Sequence, residues 1–389
     1  MVSKRKKYIK QHFLLFLLAT GFIRSAYLNR FRIFSLFYII LEILCLLYLC
    51  INIRKIQINK IIVVISLFEL SIILSTLRAP ITNINIFTVV FQGMSSIVFC
   101  LYVQFMIRIN MKNCVRVLYD LCEILIYINV LSSVFFANGL YNQSDNFDVK
   151  HYYFLGHQNQ MGYYSLFALT LGTIRKQIDS ADEYSGKRLY LLMAISIFYC
   201  LRVWSVTSII SVGMMIILLL YNDFSRHGFR LPVIISFLIN IVIFILFVVE
   251  QNFGFFSFLI QNVFHRNMTL SSRSFIWQSA FNAFLLEPIW GWGSGYGREL
   301  FGFQTAHNRY LNILFTQGIT GMLIFIVMIL LINQRLQNSK SRCVNTFFIY
   351  FFCIFIAFQA ETFSNTLFFA ILILSYNIDK LNFRVNECI

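Results

Sequence analysis

Two unbroken apolar runs, Ile33 to Ile53 and Leu231 to Val249, set the first limit on what this chain can become. Coiled as an α-helix at ~1.5 Å per residue, a run of about 20 apolar residues spans the hydrocarbon layer of a bilayer. Strands of a membrane barrel alternate apolar and polar residues, so these runs point to helices. Composition agrees: 59% of the 389 residues are hydrophobic and 12% charged, more apolar surface than a water-soluble core can hide. The expected fold is all-α, a polytopic membrane protein of about twelve spans forming a single domain over residues 1–389. The spans are expected near residues 9–23, 33–53, 61–77, 84–107, 117–137, 161–174, 189–203, 205–221, 231–249, 310–332, 344–360 and 363–378.

The net charge of +16 would suit a nucleic-acid binder if it lay on one soluble surface, but its placement excludes nucleic acid as a partner. Most of the 32 Lys and Arg fall in alternate loops. These hold Lys4 to Lys7, then Arg54, Lys55 and Lys60, then Arg108, Lys112 and Arg116, and later Arg175, Lys176, Lys187 and Arg188. Retention of positive loops on the cytoplasmic side predicts that both termini are cytoplasmic, in a plasma membrane. Lys4 to Lys7 ahead of the apolar run Phe13 to Ala19 resemble a signal peptide, but no small-residue cleavage site follows, so a short first helix is expected. No cysteine lies in the large outer loop, which predicts neither a disulfide framework nor a cysteine metal site.

Two long non-membrane stretches fall outside on this topology, residues 138–160 and a larger loop at 250–309. The larger one is rich in Phe and Trp and lacks Lys, as a loop folded on a membrane surface requires. Ser271 and Ser272 can cap a helix whose apolar positions Phe275, Ile276, Ala280, Phe281, Phe284 and Leu285 recur at helical spacing before Pro288. That helix is expected to lie amphipathic in the interface, with Trp277 and Trp290 near headgroup depth. Gly291, Gly293, Gly295 and Gly297 alternate through the following segment. They either form turns or let backbone N–H groups approach an anion.

Basic residues on the outer side are exceptions to the inside bias. The informative ones are Arg202 at a span end, Arg266, Arg273 and Arg298 in the loop, and His307-Asn308-Arg309 at the next helix start. Arginine suits phosphate, and a helix amino terminus adds a favourable dipole, so an anionic ligand is expected there. Arg202, flanked by apolar residues, is expected to face the bundle interior or a cavity. His307 can take or give a proton near neutral pH. His151, His157 and His265 lack metal-site spacing, so neither metal nor cofactor is expected. Glu42, Glu69, Asp120 and Glu123 within spans leave open a different class, an ion-coupled transporter. Asp120 and Glu123 are expected to pair with Arg116 on their own helix, and Glu69 has no evident partner.

Four segments then occur in order: Ser272-Arg273-Ser274-Phe275-Ile276-Trp277, Glu287-Pro288-Ile289-Trp290-Gly291-Trp292-Gly293, Ala306-His307-Asn308-Arg309-Tyr310-Leu311 and Gln317-Gly318-Ile319-Thr320-Gly321. With the upstream Gly156-His157-Gln158-Asn159-Gln160-Met161-Gly162, they resemble the signature of the O-antigen ligase and polymerase (Wzy/WaaL-like) family. The resemblance implies a metal-independent glycosyltransferase acting on a polyprenyl-diphosphate-linked oligosaccharide at the outer face of a bacterial plasma membrane. A flippase and a chain-length regulator would be its candidate partners. By the same resemblance, Arg273 would engage the diphosphate and His307 would assist the acceptor. The family's membrane arginine follows a Ser/Thr pair; here Thr207-Ser208 precede Ile209, and Arg202 lies upstream of the pair. The expected catalytic set is therefore His307, Arg273 and Arg202, with Arg298, Arg309, Asn308 and Asn159 binding substrate. A repeat-unit polymerase is the leading expectation and a ligase the alternative.

Overall fold

The computed structural model describes residues 2–79, 85–144, 149–179, 183–225, 228–249, 273–302 and 305–381. Thirteen α-helices form among the described residues. In chain order they are α1 (Val2–Thr20), α2 (Arg32–Ile51), α3 (Lys60–Arg78), α4 (Ile86–Phe135), α5 (Gln160–Ile178), α6 (Glu183–Arg202) and α7 (Val206–Phe224). Then come α8 (Val233–Phe244), α9 (Arg273–Leu286), α10 (Gly297–Phe301), α11 (Arg309–Gln337), α12 (Val344–Phe358) and α13 (Asn365–Tyr376). Five of these, α2, α3, α4, α7 and α11, are long and apolar enough to cross a membrane, and α8, α12 and α13 are shorter apolar helices.

Asparagines start several helices: Asn59 accepts from the Ile62 N–H at 3.1 Å at the head of α3, and Asn85 from the Thr88 N–H at the head of α4. Each satisfies an amide that helix geometry leaves unpaired. The spans expected at 84–107 and 117–137 are two arms of α4. They meet at Asn110, whose backbone is extended and whose side chain caps the second arm through the Asn113 N–H at 3.0 Å. The expected loop thereby shrinks to one residue.

The bundle is centred on α5 and α13, which are buried along most of their length. Close approach to α5 depends on small residues. A Cβ on Gly172 would meet the Tyr119 ring at 2.8 Å, and one on Gly162 would collide with Ser208. By contrast, α2 turns Ile33, Ile40 and Leu47 outward, an apolar face that suits lipid.

One departure from an all-α chain lies between α4 and α5. A small antiparallel sheet forms there in the order β1 (Tyr141–Ser144), β2 (Val149–Tyr153), β3 (Gly156–His157). Its register sets Tyr141 opposite Tyr152 and Tyr152 opposite His157, so the three rings share one face. Tyr141 and Tyr152 stack at 4.8 Å and His157 meets Tyr152 edge-on at 5.5 Å. The sheet is pinned to α4 by Asn129, which accepts from the Leu155 N–H at 2.8 Å.

Of the stretch expected to form the large outer loop, residues 250–272 lie outside the described residues, and with them His265, Arg266 and the expected caps Ser271 and Ser272. The expected helix is α9, but its inner face is buried in protein: Trp277 is 3% exposed, whereas Phe275, Leu285 and Leu286 point outward. Trp277 therefore packs as core instead of marking headgroup depth.

The glycine-rich segment after α9 fills a break in α11. At Gly318 (φ 63°, ψ −159°) the helix interrupts its own hydrogen bonding. Segment 288–293 supplies the missing partners. The N–H groups of Trp292 and Gly293 donate to the carbonyls of Phe315 and Thr316 at 2.8 and 2.9 Å, and the Ile319 N–H donates to the Pro288 carbonyl at 2.8 Å. Gly291 is needed because a Cβ there would lie 2.6 Å from the amide nitrogens of Gln317 and Gly318. These amides are spent on protein and do not cradle an anion, the second of the two uses open to them. Irregular backbone amid apolar helices is tolerable only when it is satisfied in this way.

Candidate active site

The connector between α12 and α13, residues 359–364, is the platform of the site. It is held from several sides. The amide of Asn308, which also caps α11 through the Leu311 N–H at 3.0 Å, donates to the Gln359 carbonyl at 2.8 Å. Tyr163 on α5 donates to the Ser364 carbonyl at 2.7 Å and stacks on Phe363 at 4.7 Å. Gln359 in turn donates to the Asn240 carbonyl on α8 at 2.6 Å.

From this platform projects Glu361, 6% exposed. Arg273, in the first turn of α9, donates to its Oε1 at 2.6 Å. Asn159, at the head of α5, donates to the same oxygen. His307 Nδ1 stands 3.9 Å from Oε2. Burial opposes ionisation of this carboxyl, but the Arg273 guanidinium, then His307 and His157, outweigh it and hold the group down at about 2. Asn159 is fixed in turn: its Oδ1 accepts from the Ser205 hydroxyl at 2.6 Å, which leaves Ser205 to accept from Ser208 at 2.8 Å.

His307 has a left-handed backbone, φ 49°, which a residue with a Cβ adopts only when its surroundings impose it. The cause is local: Asn308 must cap α11, so the chain turns sharply just before it. That turn carries the imidazole toward Glu361.

Three expected site residues, Arg273, His307 and Asn159, thus converge on one carboxylate that the sequence reading did not single out. The others do not join them. Arg202 is exposed and donates to the carbonyls of Ser133 and Val134 at 3.0 and 3.4 Å. Instead of facing an interior cavity, it neutralises the carbonyl end of α4, where a cation is favoured. Arg309 is buried, donating to the Phe363 carbonyl at 3.4 Å and to Asn365. Like Asn308, it is occupied by the connector and presents nothing to a ligand. Arg298 is exposed on α10.

The intramembrane carboxylates also have partners. Glu42 pairs with Arg24 and accepts from Ser95 at 2.7 Å. Asp120 pairs across helices with Arg175 and Arg188, both at 2.7 Å, and Glu123 with Arg188. Arg116, expected to be their partner, pairs with Asp179 at 2.7 Å, because arginines from α5 and α6 reach the acids first.

Apolar helices around one polar cluster at the helix ends define a multi-pass membrane protein. Residues 189–326 match a family model, Wzy_C, described as O-antigen ligase, a similarity over about a third of the chain that supports an O-antigen ligase/polymerase-like family. The match takes in Arg273 and His307 but reaches neither Asn159 nor Glu361. No curated protein matches the chain.

Proposed function

We propose that the protein is a polysaccharide repeat-unit polymerase, transferring a growing glycan from polyprenyl diphosphate to the next lipid-linked repeat unit at the outer face of a bacterial plasma membrane. The observation that carries the reading is the convergence of Arg273 and His307 on Glu361. In the proposed step an acceptor hydroxyl attacks the anomeric carbon of the donor. The bond from that carbon to the diphosphate oxygen breaks, the hydroxyl proton passes to His307, and the leaving diphosphate takes its extra negative charge beside Arg273. Arg273 supplies the positive charge, so the step calls on no metal or cofactor. Arg298, exposed nearby in sequence, would bind an outlying phosphate or sugar acid. About twelve segments cross the membrane in this reading, with both termini cytoplasmic and 250–309 as the external catalytic loop. A flippase and a chain-length regulator are the proposed partners.

The family's description as O-antigen ligase favours a second reading, transfer of finished glycan to a lipid A core or another acceptor. Reconstituted full-length protein with lipid-linked repeat units separates the two. Lengthening lipid-linked chains support the polymerase, and transfer only to an added core acceptor supports the ligase. Movement of glycan or ions without bond formation would sink both.

A further inference from the structure

Resting on that transferase reading, we infer that Glu361 is a positioning residue: it holds Arg273 and His307 in one constellation without itself touching the reacting atoms. Three observations support it. First, the donors approach both oxygens. Arg273 and Asn159 share Oε1, and His307 Nδ1 faces Oε2. Only a carboxylate accepts on both sides; an amide of the same shape turns an NH2 group toward one set of donors. Second, Glu361 cannot swing away. Its own N–H donates to the Ala357 carbonyl at 3.1 Å, and the flanking connector is fixed by Asn308, Arg309 and Tyr163. The hydrogen-bonded series Ser208, Ser205, Asn159 then fixes the amide that meets it from the other side.

The third is electrostatic. A buried carboxylate beside a site for an anionic diphosphate works against ground-state binding of that diphosphate. Its presence is reasonable where orientation of the charged groups matters more for rate than affinity does. Removing it should therefore separate the two kinetic constants, which loss of a purely structural contact does not.

The test compares wild type, Glu361→Gln and Glu361→Asp as reconstituted full-length protein with lipid-linked repeat units. Arg273 reactivity toward phenylglyoxal is followed in parallel by peptide mass spectrometry. We expect kcat of Glu361→Gln to fall by about 10²-fold or more, with KM for the donor unchanged or lower. Glu361→Asp should recover part of kcat, and Arg273 should be modified several-fold faster in Glu361→Gln than in wild type. An unchanged kcat overturns the inference, as does a rise in KM alongside the fall in kcat with Arg273 reactivity unaltered. If wild type transfers no glycan, the transferase reading fails instead, while the phenylglyoxal rates still report whether Glu361 holds Arg273.

Discussion

The side-chain amide of Asn365 donates to Glu69 at 2.7 Å, joining the first turn of α13 to the middle of α3 across 296 residues of sequence. Asn365 also accepts from Arg309, so the acid is bound to the framework beneath the candidate site. A carboxylate committed in this way lends no support to an ion pathway. Replacing Glu69 with Leu should leave the half-buried Asn365 amide short of its acceptor, costing about 2 kcal/mol. Thermal unfolding in detergent measures this, and a variant as stable as wild type would refute the framework role.

Arg273 and Arg202 should differ sharply. Arg273→Ala and His307→Ala are expected to lower chain extension by about 10²- to 10⁴-fold while the protein stays membrane-inserted. Arg202→Ala, which removes only an exposed contact to helix-end carbonyls, should stay within a few-fold of wild type. Product ladders from reconstituted protein decide it, and equal losses at all three positions would overturn this division.

Gly318 and Gly302 both have positive φ, at 63° and 81°, but they differ in surroundings. A Cβ on Gly318 would strike the Ile289 carbonyl, whereas one on Gly302 meets nothing within 4 Å among the described residues. Gly302→Ala should therefore cost about 1–2 kcal/mol, the left-handed backbone alone. Gly318→Ala should cost more, because α11 or segment 288–293 must also move. Melting temperatures of the two variants test the ordering.

Glu361 is held at about 2 against an ordinary value of 4.5. Its folded-state pKa is depressed, so the stability it contributes is present above the ordinary value and lost as pH falls toward 2. Arg273, His307 and His157 face it and are the source of the depression. The stability difference between wild type and Glu361→Gln should thus be level from pH 7 to about 5 and shrink steadily below. A difference that starts to shrink near pH 6 would contradict the ionised pair.

The helices were legible because lipid enforces one rule along every run: apolar side chains outward and backbone groups paired within the segment. Arg273, His307 and Asn159 were singled out by the resemblance of their segments to a family signature. Glu361 was not, since a single acid in a short turn between two apolar segments has no period or spacing to mark it. Arg202 misled because an arginine among apolar neighbours reads alike whether it faces a cavity or reaches a helix end. The alternating glycines left two uses open for a similar reason: the close approach they permit serves another backbone strand as readily as a ligand. Tyr141, Tyr152 and His157 form a row only through strand register, which no local pattern announces.

The seating of segment 288–293 in the break of α11 fixes where this segment stands along the bundle. Gly318 lies nine residues past Arg309, so the contact sits about 14 Å along the axis from the helix start. Segment 288–294 is therefore a wedge between α3 and α11: the Trp290 carbonyl accepts from the Ser75 hydroxyl at 2.6 Å, and the Ser294 N–H donates to Thr76 at 2.9 Å. Backbone hydrogen bonds to α11 and side-chain hydrogen bonds with α3 hold it from two sides, so this segment cannot slide along the bundle without carrying α11 with it.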